Sequence, residues 1–113
     1  MFVFVGSYRR KVSAAGVLRL PKDWLPGMGC SGRIYFMRDK SSDRNCLVPE
    51  MEFAGCGKAM QKGAAELEID ASGSILLGSG LARFVPWGSR VVLRGCIRYI
   101  EICVRRDGAP AAF

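Results

Sequence analysis

The chain has 113 residues, seventeen of them Lys or Arg against ten Asp or Glu, with no His and a net charge of +7. Such a length buries one modest core, and the lack of histidine removes the usual general base and the commonest zinc ligand, which argues against an enzyme or a zinc protein. The longest uncharged run, Ala71–Ala82, falls short of the ~20 apolar residues a membrane helix needs. Arg9 and Arg10 follow the apolar start instead of preceding it as in a secretory signal, so the expected setting is cytoplasmic, without a membrane partner.

Met1–Val5 is an unbroken apolar run, expected to form a strand covered on both faces. After Gly6-Ser7, Tyr8–Val12 reads as a strand and Gly16 as the positive-φ residue of a tight turn. Val17–Leu20 returns with Leu18 and Leu20 on one face and Val17 and Arg19 on the other. Pro21 ends the ladder and suits the start of a helix, and Pro21–Leu25 leaves room for little more than one turn before Pro26-Gly27. Trp24 and Leu25 are expected to cover the core from that turn. Arg33–Met37 reads as a strand, Arg38–Asn45 as a polar loop, and Cys46–Val48 as the returning strand that Pro49 ends. Glu50–Ala65 reads as a short linker or as a frayed helix at Lys58–Glu66.

The stretch Glu68–Gly78 then repeats the pattern of Tyr8–Pro21. A shift of 57 residues lays Val12 over Ile69, Ser13 over Asp70, Gly16 over Gly73, Leu18 over Ile75 and Leu20 over Leu77. The register continues, with Arg33 over Arg90 and Ile34-Tyr35-Phe36 over Val91-Val92-Leu93. Ser79 is the expected cap of a helix at Leu81–Phe84, and Arg90–Leu93 pairs with Arg98–Val104 around Gly95. The expected organisation is mainly β with short helices: a first unit over 1–53, a short linker over 54–66, a second unit over 67–106 and a flexible tail over 107–113. The five cysteines are odd in number and lack Cys-x-x-Cys spacing, which predicts buried free thiols, with no disulfide framework, metal or cofactor. Gly55-Cys56-Gly57-Lys58-Ala59 is not a phosphate loop, because Glu52 stands at the first required glycine and Ala59 at the hydroxyl position.

The charge is unevenly spread. Residues 1–22 carry five bases and no acid, and 83–106 carry six arginines against Glu101, whereas 23–82 are net acidic. A cluster of this kind attracts polyanions.

On Arg-Lys-Val-Ser-Ala-Ala-Gly-Val-Leu-Arg-Leu-Pro (10–21), Glu-Ile-Asp-Ala-Ser-Gly-Ser-Ile-Leu-Leu (68–77) and the closing segment Cys46–Glu52, the chain resembles the MraZ branch of the AbrB/SpoVT swapped-hairpin DNA-binding proteins. The resemblance implies two tandem AbrB-like units, of the double-psi or swapped-hairpin type, forming one pseudo-twofold domain. It also implies a ring-like homo-oligomer and a nucleoid-associated regulator binding double-stranded DNA through its β-hairpin surface. In that family each unit carries an aspartate and an arginine separated by three residues around the turn glycine. Here the first unit has Ser13 and Val17, and the second keeps Asp70 but has Ser74. The expected DNA contacts are therefore phosphate contacts, made by Arg9, Arg10, Lys11, Arg19 and Lys22. Five or six neutralised phosphates would make affinity fall by roughly 10³ between low and moderate salt. The alternative expectation is a non-enzymatic oligomeric scaffold that kept the fold and lost specific DNA binding.

Overall fold

The computed structural model describes residues 2–28, 32–39 and 41–105. Met1, Cys30, Lys40, Arg106 and the tail 107–113 lie outside the described residues. The architecture is mainly β. The strands are β1 (Ser7–Lys11), β2 (Val17–Arg19), β3 (Arg33–Asp39), β4 (Arg44–Pro49), β5 (Ala65–Glu68), β6 (Ser74–Leu76), β7 (Arg90–Gly95) and β8 (Ile100–Val104). Two short helices, α1 (Glu50–Phe53) and α2 (Lys58–Lys62), and two 3₁₀ turns, Lys22–Met28 and Ser79–Leu81, fill the connections.

Six strands form an antiparallel sheet in the order β1-β7-β8-β4-β3-β5, and β2 pairs with β6 in a separate two-stranded sheet. Between the two sheets lie Val12, Leu18, Leu20, Ile34, Leu47, Ile75, Leu77, Val91, Leu93 and Ile100, all buried. Alternation decides which face each strand buries. Leu18 and Leu20 point inward while Arg19 stays exposed, as the pattern predicts.

The two arms of the Tyr8–Leu20 stretch do not form a hairpin ladder with each other. Ser13 N–H donates to Val17 O and closes the turn, after which β1 pairs with β7 and β2 with β6. Each arm has only one apolar face, and pairing across the halves sets the two sets of apolar side chains against each other in a single core. The bonding repeats at the offset of 57 residues. Leu20 N–H donates to Gly73 O, and Leu77 N–H donates to Gly16 O. Val12 N–H donates to Ser89 O, and Ile69 N–H donates to Gly32 O. Lys11 faces Arg90 across β1–β7, and Glu68 faces Arg33 across β3–β5. Leu18↔Ile75 and Asn45↔Ile102 pair a residue with its own counterpart.

Different side chains do the same work in the two turns. Ser13 Oγ accepts from the N–H groups of Ala15 and Val17, at 3.2 and 2.9 Å. Asp70 Oδ1 accepts from those of Ser72 and Ser74, each at 2.9 Å. Both are Asx- or Ser-type turns that satisfy the backbone locally.

Three local expectations are corrected. Residues 2–5 are not a strand covered on both faces: Phe4 alone is buried, joined to Ile97 by one isolated bridge, and Val3 and Val5 are exposed. Gly6, at φ +92°, separates this segment from β1. The turn after Pro21 does not stop at Pro26-Gly27 but runs on through Pro26 to Met28, although Pro26 has no N–H to give it. Ser79 caps nothing with its side chain, and Gly78 stands at the start of that turn.

Gly16 and Gly73 both sit at positive φ, +83° and +86°, but their surroundings differ. A Cβ at Gly16 would come within 2.5 Å of Trp87 Cε2 and 2.8 Å of Leu77 O. One at Gly73 would meet the flexible Leu25 Cδ2 at 3.0 Å. Gly16→Ala is expected to cost about 2–4 kcal/mol, from backbone strain plus overpacking, and Gly73→Ala about 1–2 kcal/mol, in chemical denaturation. Equal costs would contradict the Trp87 contact.

The Ser72 hydroxyl first, and then the Ser74 N–H, hold the Asp70 carboxyl below the usual carboxylate range. A depressed folded pKa gives stability above the unfolded pKa that is lost as pH falls through the folded one. Asp70→Ser, which installs the first turn's own residue, is expected to remain folded and to flatten the acid limb of a Tm-against-pH profile.

Candidate nucleic-acid interface

Three consecutive strand residues cannot share a face. On β1, Arg9 and Lys11 point to the outer side of the six-stranded sheet, and Arg10 turns to the other side with Tyr8. Arg10 is occupied there: Nε donates to Arg19 O at 3.1 Å, NH1 donates to Arg9 O at 2.9 Å, and the guanidinium lies 5.7 Å from the Tyr8 ring centroid. It ties β1 to β2. Arg19 and Lys22 are exposed, but they lie off the six-stranded sheet, on β2 and on the following 3₁₀ turn.

Arg9 and Lys11 are joined instead by cations of β7. The register sets Lys11 opposite Arg90, Arg9 opposite Val92 and Ser7 opposite Arg94, so Arg9 stands between two arginines on the same face. The Val12–Ser89 bond fixes the phase of the ladder and makes Lys11–Arg90 a non-hydrogen-bonded pair, the kind whose side chains come closest. Like charges directly opposite each other are destabilising.

Arg90 also lines a broad groove of about 1080 Å³ at this end of the sheet, with Arg38, Arg44, Arg83 and Arg105 and the aromatic rings of Phe84 and Trp87. Some of these arginines are committed. Arg38 bonds Asp43 and, at 2.7 Å, Asn45 Oδ1. Arg38 and Arg83 both lie over the Phe84 ring, at 4.5 and 4.6 Å. Arg44 and Arg94 share the nearly buried Glu101, each at 3.4 Å. Among the described residues Arg90 and Arg105 enter no ion pair. The groove thus has a rim of guanidinium groups, a concentration of positive charge that attracts anions.

The opposite edge of the sheet has the opposite sign. At the positions equivalent to Arg9 and Lys11, β5 carries Glu66 and Glu68. Glu66 is held by Arg33 NH1 at 3.5 Å and by Tyr35 OH at 3.2 Å. The two edges of the sheet therefore differ in sign, acidic at β5 and basic at β1. Arg90 was missed as a site residue by sequence reasoning, although the arginine excess of 83–106 and the alignment of Arg33 with Arg90 both pointed to it.

Lys11→Glu replaces the facing like charges by an attractive pair. It is expected to raise stability by about 0.2–1 kcal/mol at low salt, and the gain should shrink in high salt. A loss of stability measured by thermal melts at low ionic strength would contradict the register. No protein-family model matches this chain, and no curated protein matches it.

Proposed function

We propose that the chain is a non-enzymatic DNA-binding regulator of the MraZ kind, nucleoid-associated in the cytoplasm, that holds duplex phosphates on the outer face of β1 and β7. On this reading it is built from two tandem AbrB-like swapped-hairpin units about a pseudo-twofold and works as a homo-oligomer. The repeated bonding at the 57-residue offset supports the tandem units. The single observation that carries the binding reading is Lys11 opposite Arg90 with Arg9 on the same face, a local concentration of positive charge that attracts a phosphate backbone.

The contacts are made by one edge of each chain, because Glu66 and Glu68 repel phosphate from the equivalent edge. Affinity for a long duplex therefore rests on several chains acting together. Arg10 serves this surface by fixing β1 against β2 and not by touching DNA.

A second reading, an oligomeric scaffold without DNA contacts, is favoured by the exposed apolar side chains of Phe2, Val3, Val5 and Ile97 around the Phe4–Ile97 bridge. Fluorescence anisotropy with a labelled duplex separates the two. If Arg9, Lys11 and Arg90 each neutralise one phosphate, affinity per chain falls about 40-fold between about 50 and 200 mM salt. Arg9→Glu with Lys11→Glu is expected to abolish binding in an oligomer of unchanged size, while Lys58→Glu leaves it intact. Absence of binding by the unaltered protein at low salt would leave the scaffold.

A further inference from the structure

The basic residues on the outer face of the sheet continue past β7. One step beyond the Val91–Val104 pair, Arg105 N–H donates to Arg90 O at 2.9 Å, which sets Arg105 directly opposite Arg90. Lys11 stands opposite Arg90 on its other side. Residues directly opposite each other in an antiparallel ladder share a face, so Lys11, Arg90 and Arg105 form one row across β1, β7 and the end of β8. At ~4.8 Å between neighbouring strands, the row spans roughly 10 Å.

All three side chains are exposed, and among the described residues none enters an ion pair. The two carboxylates that line the groove with Arg90 and Arg105 are already taken, Asp43 by Arg38 and Glu101 by Arg44 and Arg94. The neighbouring rows of the same face are different. Arg9 is opposite Val92 and Val92 is opposite Cys103, so the middle of that row carries no cation. In the row after it, Arg94 is opposite Glu101 and bound to it at 3.4 Å. A chain of phosphates laid along β7 would pass from Arg90 over Val92 to an arginine already neutralised, whereas one laid across the strands meets a cation on each of three. A lone phosphate ion could bridge two members of the row and would leave the third, but a nucleic-acid backbone offers successive charges.

We propose that the backbone of a DNA duplex crosses the strands at this end of the sheet, over β1, β7 and β8 in turn, and that Arg105 is a phosphate-binding residue beside Arg90. The inference rests on the DNA-binding reading above and adds to it a fourth contact and a direction. Arg90 is the centre of the track, and Lys11 and Arg105 are its two ends. Contacts of this kind fix where the duplex lies and read no sequence.

The test is the salt dependence of duplex binding by the full-length protein, read by fluorescence anisotropy. With Arg9, Lys11, Arg90 and Arg105 each neutralising one phosphate, affinity per chain falls about 150-fold between about 50 and 200 mM salt, and Arg105→Ala should reduce that fall to about 40-fold. Arg105→Lys keeps the charge and should restore most of the dependence. Arg98→Ala, which removes a cation paired with Glu52 outside the row, should leave the dependence as it is in the unaltered protein. Arg105 is exposed and holds no ion pair, so its variants are expected to melt as the unaltered protein does. A salt dependence unchanged by Arg105→Ala, or reduced more by Arg94→Ala than by Arg105→Ala, would overturn the crossing and leave the DNA-binding reading in place. Absence of duplex binding by the unaltered protein at about 50 mM salt would remove both.

Discussion

The structure depends on the reciprocal bonding of two turns to two strands. Leu20 N–H reaches Gly73 O and Leu77 N–H reaches Gly16 O, so the strand leaving each turn is held by the glycine of the other. Each glycine takes a positive φ that a side chain would strain, and at Gly16 the space for a Cβ is already taken by Trp87. From this exchange it follows that neither half has a complete core. Leu18 and Leu20 are covered only because Ile75 and Leu77 come from the other end of the chain.

The same exchange builds the cationic face. Were β1 paired with β2 as a simple hairpin, Lys11 would face the neighbourhood of Arg19, and Arg90 would belong to a separate surface. Pairing β1 with β7 brings basic residues from positions 9–11 and 90–94 into one ladder. Duplication would be expected to produce this face twice. Glu66 and Glu68 stand where the second copy would need cations, so the protein presents one basic edge and one acidic edge on a nearly symmetric frame.

Much of the frame was legible in the sequence. The offset of 57 residues could be read because a turn glycine, a turn side chain with an oxygen acceptor and three apolar positions recur together. Strand positions were legible from alternation, and the same alternation contains the reason Arg10 cannot join Arg9 and Lys11. What could not be read was which strands pair across the halves, since that choice rests on burial of one-sided apolar arms and not on any local propensity. The Phe2–Val5 segment misled for the related reason that an apolar run does not reveal whether anything covers it.

The interleaving of the halves is tested most directly by nuclear Overhauser contacts in the full-length protein. Non-hydrogen-bonded antiparallel pairs bring α-protons together, so strong Hα–Hα contacts are predicted between Lys11 and Arg90 and between Arg19 and Ser74. Contacts linking Tyr8–Val12 to Val17–Leu20 along a continuous hairpin, in place of these, would contradict the fold and remove the cationic face with it.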